Sequence, residues 1–391
     1  MKNNDINRNI KEKLNNYITQ ASTSASDLDQ EDYTNKNNLI SFINKNNSKF
    51  WEQFDLCEYI NRGSAGYVYK GLYKGATKRQ VAIKFIINKK QKEKMEKEMK
   101  EKEKEKADST LNQEISISKK LHNKNVSQLY AFFKKGEMKY SVLEFGKYGD
   151  ILHFERNLLK RYVLSETALN YFGKQILEGL QYIHRCKIVH MDIKPENILI
   201  DGNLDAKITD FSVSCSYSNF HAEDLVRFPF VGTGKFIAPE VISKTNMKIK
   251  DAEKIDIYSF GMTLYYLFYG EYAYNLNEVK GKDYDKILKK IRDEKEFFPE
   301  NRKISNVFKD FLEKILEKDY TKRININQAL NHPWIKKGSK IVNNKKKKKR
   351  KENFSNIGCF LIKLITDNIP EFNNHIKLKK NLTFSINMRY K

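Results

Sequence analysis

Cysteine is scarce in this 391-residue sequence. Cys57, Cys186, Cys215 and Cys359 stand far apart, with no pair at zinc-ligand spacing and no pattern suggesting a disulfide framework. A reducing compartment is therefore expected. Long apolar runs are missing too. A membrane-spanning helix needs about 18 or more apolar residues in succession. The longest apolar stretch of the tail, IGCFLIKLI, is shorter and contains Lys363. The opening MKNNDINRNI has no apolar signal core and no glycine at position 2 for myristoylation, so no leader or lipid anchor is expected. Acidic charge is the minority sign. Asp and Glu total 49 against 73 Lys and Arg, a formal net charge of +24. Such a surplus suits solvated lysine-rich surface, or attraction to nucleic acid, acidic protein or anionic lipid. Because the excess sits in a few tracts, solvated surface is preferred, and nucleic acid is not expected as a partner.

What is present divides the chain into three parts. Residues 1–50 are polar and rich in Asn, Lys and Ser, and read as a disordered extension with a short helix near NLISFI. From Trp51 the texture changes. FDLCEYINRGSAGYVYKGLYKG alternates around a glycine-containing turn and predicts a hairpin. RQVAIKFIIN, rich in branched residues, predicts a third strand, and YSVLEF another. Between them, about residues 88–108 form a tract of mixed charge without an apolar stripe, read as an insertion that is either a solvated helix or a spacer. LNQEISISKKL has helical spacing. Beyond about residue 150, helical periods dominate, in ALNYFGKQILEGLQYIHRC, IDIYSFGMTLYYLFYG and VFKDFLEKILEKD. Strands followed by helices predict an α+β domain over 51–336, with an N-lobe at 51–145 and a C-lobe at 146–336. Residues 337–391 form a basic tail carrying the block Lys345–Lys351.

Eight short motifs stand in order along the central part: GSAG, VAIK, QE, HMDIKPEN, TDFS, APE, DIYSFG and RININQALNHPW. Each alone is weak. All of them in order, on matching strand and helix patterns, are specific. Over roughly residues 54–336 the sequence thus resembles the eukaryotic-type serine/threonine protein kinases, and less specifically their calmodulin-kinase-kinase-like upstream branch. The resemblance implies a bilobal protein kinase fold, with a β-rich N-lobe carrying one main helix and an α-rich C-lobe. It implies transfer of the γ-phosphoryl group of ATP to protein hydroxyls, with Mg2+, or Mn2+ as an alternative ion.

Carried over residue by residue, the resemblance places a phosphate-covering turn at Asn61, Gly63, Ser64, Ala65 and Gly66, with Asn61 where the family has its first glycine. Val68, Ala82 and Leu199 would contribute to the ATP site, Leu143 would stand behind the adenine, and Glu144 and Gly146 would border the hinge. Lys84 would contact the α- and β-phosphates, partnered by Glu114. Asp192 would be the catalytic base, Lys194 would steady the γ-phosphate, and Asn197 and Asp210 would hold magnesium. Asp150, also near the ATP site, and Glu196 would favour substrates with basic residues before the target hydroxyl. Thr233 would bond Asp192 and Lys194, Glu240 would pair with Arg323, and Asp256 would anchor the catalytic loop.

The departures from the family are specific. Met191 replaces an arginine that clamps a phosphorylated activation segment, and Pro229 stands where the usual phosphate acceptor would be. Acceptor and clamp are thus missing together, although Ser216, Tyr217 and Ser218 remain open to modification. Ser212 replaces a glycine, which implies a strained left-handed residue at a cost of about 1 kcal/mol. Ser118 replaces an apolar residue one turn beyond Glu114, and Gly234 replaces a proline. The alternative to an active enzyme is a pseudokinase scaffold that binds partners. Against it, Lys84, Asp192, Lys194, Asn197 and Asp210 are all present. Over 340–391 the tail admits three readings: a solvated lysine run, a nuclear-localisation or anionic-surface patch, and a calmodulin-like target or autoinhibitory segment. A cytoplasmic location is expected, or a nuclear one through Lys345–Lys351.

Overall fold

Aromatic and branched residues recur along the first strands, and cross-strand pairing turns them into a ladder. The structure is a computed structural model that describes residues 53–63, 66–75, 79–86, 112–135, 138–152, 154, 163–279, 281, 283–295, 298–300 and 302–336. The extension at 1–50, Ser64 and Ala65, the charged insertion at 88–108 and the tail at 337–391 lie outside the described residues, so expectations placed on them stay as expectations. Two compact units emerge, one from residues 1–104 with 129–145, the other from 105–128 with 146–391.

In the first unit, strands β1 (Phe54–Gly63), β2 (Gly66–Tyr73), β3 (Gln80–Ile86), β4 (Leu129–Lys135) and β5 (Met138–Glu144) form a sheet of order β1-β2-β3-β5-β4. Every neighbouring pair is antiparallel. Tyr59, Tyr69, Phe85, Tyr140 and Phe133 each lie on a different strand, and successive ring centroids are 5.5, 5.5, 5.8 and 5.3 Å apart. Aromatic cross-strand pairs of this kind fix register as well as stability. Tyr69, Val81, Ile83, Phe85, Tyr140 and Val142 form most of the buried core of the unit. Burial pushes the Tyr140 phenol up to about 12.

The second unit begins with helix α1 at residues 112–120. Two hydrogen bonds tie α1 and the residues just past it to the rest of this unit. Gln113 Nε2 donates to Ser214 O at 2.9 Å, and just past the helix the His122 N–H donates to the Tyr182 hydroxyl at 2.8 Å. The long helices α2 (Glu166–Arg185) and α4 (Glu253–Tyr269) carry most of the core, with the short α3 (Pro239–Ile242) between them in sequence. Helix α4 is apolar nearly all round, and almost all of it is buried. Helix starts are capped as the sequence allows. The Ser165 hydroxyl accepts the Ala168 N–H at the start of α2, Asp283 caps α5 (Tyr284–Asp293), and Ser305 caps α6 (Asn306–Ile315). Asn325 and Gln328 form a capping box on α7 (Ile326–Asn331).

Trp334 closes the unit. It stacks on Phe308 and Phe311 with centroids 4.3 and 4.9 Å away, and its indole N–H donates to Glu166 Oε1 at 3.0 Å. Beside it, His332 Nδ1 accepts the Trp334 N–H at 3.2 Å while Nε2 faces Asp310 Oδ2 at 2.8 Å. Those partners suit a neutral ring with its proton on Nε2. Burial holds His332 below its ordinary value, although the Asp310 carboxylate pulls the other way. A histidine kept neutral by folding contributes stability that is whole above its unfolded pKa and is lost as pH falls below it. The unfolding midpoint is therefore expected to fall from about pH 7 to pH 5, and less steeply in His332→Gln. Parallel profiles for the two proteins would contradict this assignment.

Candidate active site

The catalytic-loop sequence His190–Asn197 lies between two short strands, β6 (Ile188–Val189) and β7 (Ile198–Ile200). Its shape is imposed by Asp256, which has no exposed surface and sits in the first turn of α4. Asp256 Oδ2 accepts the His190 N–H at 2.8 Å, and Oδ1 accepts the Met191 N–H at 2.9 Å. His184, near the end of α2, approaches the same carboxylate through Nε2 at 2.8 Å. Met191 is held at φ 70°, a left-handed conformation that costs a β-carbon residue about 1–2 kcal/mol. Its side chain is 3% exposed and belongs to the core.

Beyond this anchor the polar side chains converge. Lys194 Nζ lies 2.8 Å from Asp192 Oδ2 and 2.5 Å from Thr233 Oγ1. Asn197 Nδ2 donates to the Asp192 carbonyl at 2.8 Å and to its Oδ2 at 3.0 Å. Asp192 Oδ1 is buried and has no hydrogen-bond partner among the described residues. One carboxylate oxygen is thus held by two donors while the other is left to accept. Thr233 was expected to bond Asp192 as well as Lys194. No hydrogen bond joins Thr233 to Asp192, and Lys194 connects them, because its ammonium can donate to both at once.

Strand β7 pairs with β8 (Ala206–Ile208), Ile198 opposite Ile208, and the Thr209 N–H donates to Asn197 O at 3.0 Å. Asn197 and Asp210 therefore stand at the same end of one short ladder. The other side of β7 meets residues 146–150. Gly146 lies against Leu199, Asp150 bridges Leu199, and the Ile200 N–H donates to Gly149 O at 2.9 Å. Asp210 itself takes φ 63°, and its Oδ1 faces the Ser212 N–H at 3.4 Å. Asp tolerates that conformation better than most residues. Ser212 does not have a positive φ, so the expected strain at Ser212 is not found. Within the catalytic loop and the residues just after β8, the left-handed positions are Met191 and Asp210.

In the first unit, strand register gathers the other candidates. Asn61 is opposite Val68, Val68 is opposite Lys84, and Ala82 is opposite Leu143. Alternation puts these on the sheet face away from Val81, Ile83 and Phe85. Lys84 is buried. Gly63 and Gly66 are paired at the hairpin end, and Glu144 ends β5 opposite Val81. Glu114 and Ser118, on α1, are also buried.

A loop segment rich in backbone anchors, an acceptor oxygen beside a lysine, and a buried strand lysine match what comparison with known proteins finds. The protein kinase domain matches residues 54–335. Myosin light chain kinase A of Dictyostelium discoideum is 31% identical over 288 residues, covering 72% of this chain and 88% of that protein. Calcium-dependent protein kinase 5 of Plasmodium falciparum is 31% identical over 360 residues, 90% of this chain but 56% of its own length. The Aurora kinase of D. discoideum is 28% identical over 286 residues, 73% of this chain and 66% of that protein. The chain belongs to the protein kinase family. It is a serine/threonine protein kinase with the bilobal α+β fold of that family, whose activity uses ATP and a divalent cation on protein substrates.

The side chains of the kinase suit that cofactor. Asn197 spends its amide N–H donors on Asp192, which leaves its oxygen as the group able to face a cation. Magnesium takes oxygen ligands, keeps several waters and needs one or two carboxylates beside phosphate. Among the described residues, no three His, Cys, Asp or Glu side chains converge as a metal centre. No helix among them is long and apolar enough to cross a membrane.

The activation segment of the kinase, Asp210 to Glu240, is held along its length. Strand β9 (Cys215–Ser216) pairs with β6, and β10 (Leu225–Val226) pairs with β11 (Met247–Lys248). Tyr217 and Phe228 are buried, and the Tyr217 hydroxyl donates to His184 O at 3.1 Å. At the far end Glu240 and Arg323 form a buried bidentate pair at 2.6 and 3.0 Å. Sequence reasoning did not single out His184, Tyr217 as an anchor, or Phe228. The only signal for them was apolar or histidine character inside otherwise polar segments.

Proposed function

We propose that this kinase transfers the γ-phosphoryl group of Mg-ATP to Ser or Thr hydroxyls of proteins, and does so without a phosphate at the usual activation-segment position. The observation that carries the reading is the Asp192 carboxylate. Lys194 and Asn197 hold Oδ2, while Oδ1 is buried and left as an acceptor. Asp192 orients the substrate hydroxyl and takes its proton as the new P–O bond forms, while the bond from the γ-phosphorus to the bridging oxygen breaks and ADP leaves with that electron pair. Lys194, tied to Thr233, fixes the carboxylate and steadies the transferred group. When bound, ATP would supply the phosphoryl group, and Asn197 and Asp210 would hold the magnesium that neutralises its charge. By the family resemblance, the first unit contributes Asn61, Gly63, Ser64, Ala65, Gly66 and Lys84 to phosphate binding and Val68, Ala82 and Glu144 to base binding, and the second unit contributes Glu114, Gly146 and Leu199 to the same ligand's binding.

Independence from the usual phosphate follows from three features. Pro229 offers no hydroxyl. Met191 points into the core, where it supports the loop by packing. The segment is already tied down by β9, by the β10–β11 pair and by buried Phe228. Substrates with basic residues upstream are favoured by Asp150 and exposed Glu196.

The test compares the full chain before and after exhaustive phosphatase treatment, with Mg-ATP and a library of Ser/Thr peptides. Equal turnover before and after treatment, with Arg or Lys enriched upstream of the target, is expected. Loss of most turnover after treatment would show a phosphate requirement. No transfer by either sample would favour the scaffold reading.

A further inference from the structure

Gly232 stands where the activation segment passes the catalytic loop, and it has φ +104°, a conformation L side chains rarely adopt. A methyl group built on it would stand 2.6 Å from the Met191 carbonyl oxygen and 3.5 Å from Asp192 Oδ1. The first distance is well inside van der Waals contact, and the atom met is backbone.

That backbone has little freedom to retreat. The Met191 N–H is bound to Asp256 Oδ1 at 2.9 Å, and the side chain is buried in the core. On the next residue, Asp192 is tied through Oδ2 to Lys194 and Asn197. On the segment side, Gly232 is followed directly by Thr233, whose hydroxyl meets Lys194 Nζ at 2.5 Å. A side chain at position 232 must therefore push one of two things. Either the 191–192 peptide moves and carries Asp192 with it, or residues 231–233 move and draw Thr233 away from Lys194.

We propose that Gly232 is a positioning residue for Asp192. Its bare α-carbon lets the activation segment rest on the Met191 carbonyl, which sets the register of Thr233, Lys194 and Asp192. The proposal rests on the reading of Asp192 as the base. It assigns to an unreactive glycine the task of holding that base in line, and in a well-aligned site an error of about 1 Å can cost about 10²-fold in rate.

The experiment uses the full chain and three proteins: wild type, Gly232→Ala and Gly281→Ala. Gly281 also has a left-handed φ, +63°, but a methyl there meets nothing within 4 Å, so it reports backbone strain alone. For Gly232→Ala, kcat is expected to fall by about 10–10²-fold, while KM for ATP stays near that of wild type. Gly281→Ala should keep the wild-type kcat. Amide hydrogen exchange gives a second reading that needs no activity. In Gly232→Ala the His190 and Met191 amides, both donors to Asp256, should exchange faster than in wild type and Gly281→Ala. Wild-type kcat and unchanged exchange at both amides in Gly232→Ala would overturn the proposal. If wild type transfers no phosphate, the catalytic reading falls, and the exchange rates alone decide the positioning role of Gly232.

Discussion

Replacing Arg323 with alanine is expected to lower the stability of the kinase by about 3–5 kcal/mol, the usual cost of removing one partner from a buried ion pair. Arg323 is 1% exposed. Its guanidinium reaches both Glu240 oxygens, donates to Glu317 O and Lys254 O at 2.8 Å, and lies 4.8 Å from the centre of the Tyr258 ring. Alanine leaves the Glu240 carboxylate buried without its cation and removes the Arg323 donor from the backbone carbonyls of Lys254, Glu317 and Lys318. The pair also ties the end of the activation segment, at α3, to the chain entering α7. A denaturant titration reads the effect as a lowered midpoint at unchanged slope. The pairing itself is tested by Arg323→Met with Glu240→Leu. Removing both charges avoids the unpaired carboxylate, so the double variant should be more stable than Arg323→Ala. A double variant no more stable than the single one would place the cost in lost packing instead.

The second large effect is catalytic. Asparagine at position 192 keeps the shape of aspartate and loses its charge. Lys194 and Asn197 both donate toward Oδ2, so the amide will turn its oxygen to them. Its NH2 then takes the place of Oδ1, where the substrate hydroxyl needs an acceptor. On the proposed reading of Asp192 as the base, a donor then stands in place of an acceptor, and no base is left to take the proton. A fall in kcat of about 10²–10⁴-fold is expected, the range of positioned acid–base groups. Because the Asp256 anchor and the core are untouched, the fold should survive.

Local features of this kinase were legible in its sequence wherever one strand or helix carries its own signal. The β1–β2 hairpin, β3, α2 and α6 show their periods directly, whereas α4 is marked by the length of its apolar run. The motifs that fix Asp192, Lys194 and Asn197 are contiguous, so their convergence follows from one loop. Asp256 and the Glu240–Arg323 pair were named through the family resemblance and stand where it placed them. Strand β4 was not read, because LYAFFKK has no alternation and owes its identity to pairing with β5. The β10–β11 ladder was equally hidden, since its two residues on each side are joined only by the fold.

Backbone strain was placed on the wrong residue for a related reason. Ser212 replaces a glycine, so strain was expected there. The chain turns at Asp210 and Met191 instead. Met191 is held by a carboxylate 65 positions away in sequence, which no local pattern discloses. The sequence showed that methionine cannot clamp a phosphate. Only the structure shows that it serves the core in place of that clamp.

The most direct measurement is phosphate transfer from Mg-ATP to a generic basic protein by wild type and by Asp192→Asn, with unfolding curves confirming that both are folded. Transfer by wild type, with a loss of about 10²-fold or more in the variant, is the predicted result. Equal incorporation by two folded proteins would contradict Asp192 as the base and, with it, the catalytic reading of the site.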